Sequence, residues 1–200
     1  MNEELSLYQK KSLCEYLFIV LPYAEINEEI RTFKKDLFRT EGPFAGQNSC
    51  GHMPLLSFFQ HEEREDTIIE CVSQQVYKNR SFEVFLNGFG FDSQIRSIYI
   101  DILNKQSLID LYHQLRMSLF EKFVSLAFLN QNYEPRMKVG QQLSPLQFIN
   151  VISEYKSKAY TNNFSVSRIH VLKRKAPYTS WEKLKAIPLA TNEKELMDWN

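Results

Sequence analysis

The apolar positions of this chain switch repeatedly between a period of two and a period of three to four, the pattern of strands interleaved with amphipathic helices. EYLFIVLP, Glu15 to Pro22, reads as a buried strand closed by proline. INEEIRTFKKDLFRTEG then places Ile26, Ile30, Phe33 and Leu37 on one helical face before Gly42 ends it. GHMPLLSFF, from Gly51, predicts a short apolar strand, and REDTIIECVSQQVYKN a helix with acids in its first turn and a lysine in its last, as the helix dipole favours. SFEVFLNGFGFD and IRSIYIDIL follow as two strands that pair through the turn between them. The glycines of NGFGF lack the spacing of a phosphate loop and serve a bulge or a close backbone approach.

From Ser107, the residues Leu108, Leu111, Leu115, Leu119 and Phe123 draw a helical stripe, with Ser107 and Asp110 as a capping pair. EPRMKVGQ predicts a short strand on which Arg136 and Lys138 share one face while Met137 and Val139 take the other. In SPLQFINVISEYKSKAY, Ser144 is the expected N-cap and Pro145 the first helical residue. NFSVSRIHVLKRKAP and WEKLKAIPLA read as two alternating β-runs, and TNEKELMDWN as a charged tail. Two passages share one order: GHMPLLSFF, helix, SFEVFLNGFGF; then PRMKVGQQL, helix, NFSVSRIHVLKR. The α+β pattern therefore contains a duplicated strand–helix–strand unit, and the strands at His52 and Arg136 become pseudosymmetric mates facing one another across a cleft.

Composition narrows this picture. A chain of 200 residues, 44% apolar and 24% charged, suits one domain or two small lobes with a shared core and excludes disorder. Lys plus Arg and Asp plus Glu both count 24, so the net charge is zero and there is no long-range attraction for nucleic acid; any anion site must be local. Cys14, Cys50 and Cys71 are odd in number and lack CxxC or Cys/His spacing, which points away from disulfides and zinc and toward a reducing, cytoplasmic setting. KKSLCEYLFIVLPYA is interrupted by Glu15 and has no A-x-A site, so it reads as a strand and not as a signal peptide. No stretch approaches the roughly 20 apolar residues that span a bilayer, so no membrane association is expected.

The order of these elements resembles the 2H phosphoesterase superfamily, which includes 2'-5' RNA ligase-like proteins and cyclic nucleotide phosphodiesterases. The resemblance rests on the YLFIVLP strand with its helix, the GHMPLLSFF strand, the PRMKVGQQLSP strand with its helix, and the closing FSVSRIHVLKRK and WEKLKAIPL hairpin. It implies an α+β fold in which two pseudosymmetric strand–helix–strand lobes with antiparallel sheets surround a central cleft, a single bilobal domain over residues 1–190 and a tail over 191–200. Each lobe of such a protein supplies one His-x-Thr/Ser strand to the cleft. One imidazole takes a proton from the attacking hydroxyl or water, the other gives one to the leaving oxygen, and the hydroxyls hold the phosphate.

This chain departs from that pattern. The first motif stands as His52, Met53, Pro54, Leu55, with proline in place of the hydroxyl, and the second as Arg136, Met137, Lys138, Val139, with neither histidine nor hydroxyl. Acid–base work near neutral pH needs groups titrating near it, and Arg136, with a pKa above about 12, stays charged. Loss of one acid–base partner costs about two to four orders of magnitude in rate. Arginine and lysine are good phosphate ligands, however. The resemblance thus implies a catalytically impaired protein that binds a phosphate-containing ligand, a nucleotide or an RNA end, through His52, Arg136 and Lys138, with His170 on a late strand flanking the cleft and no metal or cofactor. Two other readings fit the same residues: a divergent RNA 2',3'-cyclic phosphodiesterase or 2'-5' RNA ligase-like enzyme using His52, and a structural or protein-interaction role with an empty cleft in which acidic residues pair the two cations. A lysine on an ordinary exposed edge strand is the plain alternative for Lys138.

Other chemistry-bearing residues have plainer accounts. His61 sits among acids at a helix start, and His113 lies one turn from Asp110. The basic run LKRKAP, followed by Tyr178 and Trp181, reads as a solvated hairpin tip before a nucleic-acid clasp.

Overall fold

A computed structural model describes residues 12–123, 133–175 and 179–190. Strand β1 (Leu13–Val20) leads to helix α1 (Ala24–Glu41), strand β2 (Met53–His61) and helix α2 (Glu65–Val76). A hairpin of β3 (Phe82–Asp92) and β4 (Ser97–Ile102) follows, then α3 (Gln106–Lys122), β5 (Met137–Gly140), α4 (Pro145–Tyr155), β6 (Thr161–Val166), β7 (Arg168–Lys175) and β8 (Glu182–Pro188). The strands form two four-stranded antiparallel sheets, ordered β2-β1-β7-β8 and β5-β4-β3-β6. This is the bilobal α+β architecture expected from the sequence, with β2 and β5 each at the edge of its own sheet.

The period-two faces sort as strand geometry requires. Cys14, Tyr16, Phe18 and Val20 are fully buried, with Tyr16 and Phe18 stacked on Phe58 of β2. In the second sheet Ile98, Ile100, Ile102, Met137 and Val139 lie in the same continuous apolar cluster, so one core spans both sheets. Lys138 pairs across the ladder with Tyr99, on the face opposite Met137 and Val139. Helix α1 buries Ile26, Ile30 and Leu37 but also Lys34. Helix α4 starts as its sequence predicts: the Ser144 side chain accepts from the Gln147 backbone, and the Gln147 side chain reaches back to the Ser144 backbone N–H. No described helix is long and apolar enough to cross a membrane.

Three local expectations are corrected. The repeat begins one strand and one helix earlier than the sequence comparison put it. The equivalent units are β1-α1-β2 and β4-α3-β5, each a central strand, a helix and an edge strand, whereas β3 and β6 pair with each other inside one sheet, Val84 opposite Phe164. The late run NFSVSRIHVLKRK is two strands: β6 joins the second sheet and β7 the first, with Ser167 between them. The switch leaves a mark in the pattern: Phe164 and Val166 are buried on even positions and Ile169 and Val171 on odd ones, with Ser167 and Arg168 both exposed between them. Ser107 does not cap α3, which starts at Gln106 and has no side-chain cap among the described residues; Asp110 accepts instead from the Gln106 amide at 2.7 Å, one turn away.

Candidate phosphate-binding cleft

The edge strands β2 and β5 converge on one small pocket of about 90 Å³. His52 and Pro54 line it from β2 and the residue before it, and Lys138, Val139 and Gly140 from β5. The loop before β2 closes the third side through Ala45, Gly46 and Ser49, and Lys34 of α1 reaches in behind that loop. The loop is held at both ends. Ala45 makes an isolated bridge to Gln141, just past β5, and the Lys34 ammonium donates to the Gly46 and Ser49 carbonyls at 2.9 Å each and to Ser49 Oγ at 2.8 Å.

Four features set the electrostatics of this pocket. First, no carboxylate lines it among the described residues. Second, burial pushes the Lys34 ammonium down to about 8, and with all three of its donors engaged it contributes charge to the wall more than contact. Third, burial, with Arg136 beside it, lowers the Lys138 pKa, and the hydrogen bond this side chain makes is to the neutral amide of Gln141 at 3.3 Å. Fourth, burial and the positive charges of Lys34 and Lys138 hold His52 below the usual imidazole range despite a hydrogen bond to the Cys50 carbonyl. That bond, 2.9 Å from Nδ1, fixes the neutral tautomer: Nδ1 carries the proton and Nε2 the lone pair.

Arg136 is placed differently. It lines a neighbouring, larger cavity of about 420 Å³ that shares Pro54 and Lys138 with the small one. Its guanidinium donates to Asp92 at 2.6 Å and to Glu134, and lies 4.5 Å from the centre of the Tyr99 ring. Asp92, held low chiefly by the Arg136 hydrogen bond, also accepts from the Gln94 and Ile95 backbone in the β3–β4 turn. Of the two cations expected to share one anion, the structure pairs Arg136 with carboxylates and leaves Lys138 with an amide.

His170 does not reach this pocket. It sits on β7, two strands in from the edge and aligned through Ile19 with Pro54, nearly buried, its Nδ1 without a hydrogen-bond partner among the described residues. Burial and the charges of Lys183 and Arg168 lower its pKa. His61 and His113 are both exposed. The basic run near the β7–β8 turn is tied up in ion pairs, Lys173 with Glu62 and Glu65, Arg174 with Glu15 and Lys175 with Glu62, while Arg174 stacks on Trp181. Tyr178 lies outside the described residues.

Sequence reasoning missed Lys34, although its signal was present: it stands four residues after Ile30 on the apolar stripe of its helix. A lysine on the buried face of an amphipathic helix needs partners, and here the loop before β2 supplies them.

A family model described as the 2'-5' RNA ligase superfamily matches residues 22–177. No curated protein matches the chain. Among solved structures, E. coli LigT complexed with 3'-AMP is similar with a TM-score of 0.68 at 16% identity, over 88% of this chain and 98% of that one. TT0787 of Thermus thermophilus is similar at 0.69 with 12% identity, over 90% of this chain and 100% of that one. A further structure, described as a phosphoesterase, is similar at 0.64 with 17% identity, over 90% of this chain and 99% of that one. Identities this low speak to the fold.

Proposed function

This chain belongs to the 2'-5' RNA ligase superfamily, and from that premise we propose that it is a member whose cleft binds a phosphate-containing ligand, a nucleotide or an RNA end, without the two-histidine turnover of the 2H phosphoesterases. The observation that carries this reading is the pocket between the two edge strands, where His52 and Lys138 stand on opposite walls with Lys34 behind and no carboxylate among the described lining residues. E. coli LigT has been solved in complexes with phosphate, ATP and NADP+ as well as 3'-AMP, which makes nucleotides the natural first probes here.

Turnover is a separate matter. The neutral tautomer of His52 presents Nε2 as a base, which supplies half of a proton relay. On the other side stand Arg136, engaged with Asp92 and Glu134, and Lys138, which would have to act as the acid. The test is calorimetric titration of the full chain with inorganic phosphate and 3'-AMP, alongside an assay for opening of adenosine 2',3'-cyclic phosphate. The expected result is saturable binding that Lys138→Ala weakens by at least about tenfold, the weight of one charge-assisted hydrogen bond. Sustained hydrolysis that His52→Ala abolishes would replace this reading with that of a divergent phosphodiesterase.

A further inference from the structure

Resting on that reading, we propose that the pocket is built for a terminal phosphate monoester and discriminates against phosphodiesters and cyclic phosphates. Shape points to a single substituent on phosphorus. The small pocket and the larger cavity meet at Pro54 and Lys138. Its remaining wall is the Ala45–Ser49 loop, pinned to the end of β5 by the Ala45–Gln141 bridge and to α1 by Lys34. At about 90 Å³ the small pocket has room for a phosphoryl group, and at about 420 Å³ the larger one has room for the body that carries it. A monoester has one substituent and enters end-on through the junction. A diester carries a second substituent, and a cyclic phosphate has both ester oxygens tied to the body, so neither can turn three free oxygens into the small pocket.

Hydrogen-bond polarity points the same way. With Nδ1 donating to the Cys50 carbonyl, the remaining polar atom of His52 is Nε2, an acceptor while the ring is neutral. A phosphodiester also offers only acceptors, so the two would meet lone pair to lone pair. A monoester has a second ionisable proton, with a pKa near 6, that it can donate to Nε2, whereas a diester has none. The charged groups facing that ring are Lys34 from α1 and Lys138 from β5, both of which favour the extra negative charge of the monoester. Charge is also divided between the two cavities. Asp92 and Glu134 line only the larger one, where they neutralise Arg136 and suit an uncharged sugar or base.

The experiment is calorimetric titration of the full chain near neutral pH with 3'-AMP, its methyl phosphodiester and adenosine 2',3'-cyclic phosphate, which share one body and differ at phosphorus. The monoester should bind at least about tenfold more tightly than either ester, the difference made by one charge-assisted hydrogen bond. In His52→Gln, which keeps a polar side chain but cannot share the proton, that preference should shrink by at least about threefold toward what the pocket's shape alone enforces, while Lys138→Ala should weaken all ligands that bind. If His52→Gln does not fold, the wild-type ratio decides alone. Equal binding of monoester and diester would overturn the monoester inference and leave the phosphate reading standing. Failure of all three probes would overturn both.

Discussion

Arg136, just before β5, and Lys138, on it, are two residues apart, yet the structure gives them different partners, and truncating each tests that difference. Arg136 and Asp92 are about four-fifths removed from water, 21% and 20% exposed, and meet at 2.6 Å. A hydrogen bond to a charged group contributes about 1.5–3 kcal/mol, and the residual exposure puts this one near the lower end. The half-exposed Glu134 adds roughly 0.5 kcal/mol. Arg136→Ala should therefore cost about 2 kcal/mol at neutral pH, a drop in Tm of about 4–8 °C for a chain of this length. The deficit should depend on pH in a definite sense. Arg136 holds Asp92 below its unfolded value, so the stabilisation is present above the unfolded carboxylate pKa near 4 and is lost as pH falls through the lower folded value. Urea melts of the wild type and Arg136→Ala at neutral pH and in acid, combined with Asp92→Asn in a double-mutant cycle, measure this directly. Phosphate affinity of Arg136→Ala should stay within about threefold of wild type, while Lys138→Ala should keep its stability and lose affinity. An Arg136→Ala protein with unchanged Tm and abolished phosphate binding would show that the carboxylates release this arginine to the ligand, and the division between the two cations would be wrong.

Three further outcomes are expected. Lys34 is pushed down to about 8 in the folded chain, so the unfolded chain holds a proton that the folded one gives up, and stability should rise with pH from about 8 toward the ordinary lysine value; urea midpoints across that window should show a slope that Lys34→Met lacks. Gly90→Ala would bring a Cβ to 2.3 Å from the Tyr99 ring, which must then shift under the Arg136 guanidinium; thermal melts should show a loss of about 1–3 kcal/mol, with an altered Tyr99 ring environment by NMR. Ser144→Ala removes one half of the α4 capping box and should cost about 1 kcal/mol without changing phosphate affinity, as read by denaturation and titration together.

The elements were legible because each carries its own signal. The stripe Leu108, Leu111, Leu115, Leu119 predicted α3, Pro22 closed the run that became β1, and Pro54, which has no N–H for a ladder, lies on an edge strand beside a register shift opposite Phe18 and Ile19. NGFGF behaves as expected too, with Gly88 at positive φ, a register shift between Leu86 and Phe89, and Gly90 pressed against Tyr99. The candidate site was legible in part. His52 and Lys138 stand in one pocket, and period-two geometry is enough to put Lys138 on the face away from Met137 and Val139.

What the sequence by itself determined is therefore local: which residues form strands and helices, which face of each is apolar, and which expected histidine and hydroxyls are missing from the two motifs. What only the tertiary structure decided is partnership. Asp92 lies 44 residues from Arg136 and neutralises it, Lys34 reaches the pocket through the loop it holds in place, and β7 keeps His170 out of the small pocket it was expected to line. The reason is physical. Periodicity depends on covalent geometry within one segment, whereas the charge state and reach of a side chain depend on which segments the fold sets beside it.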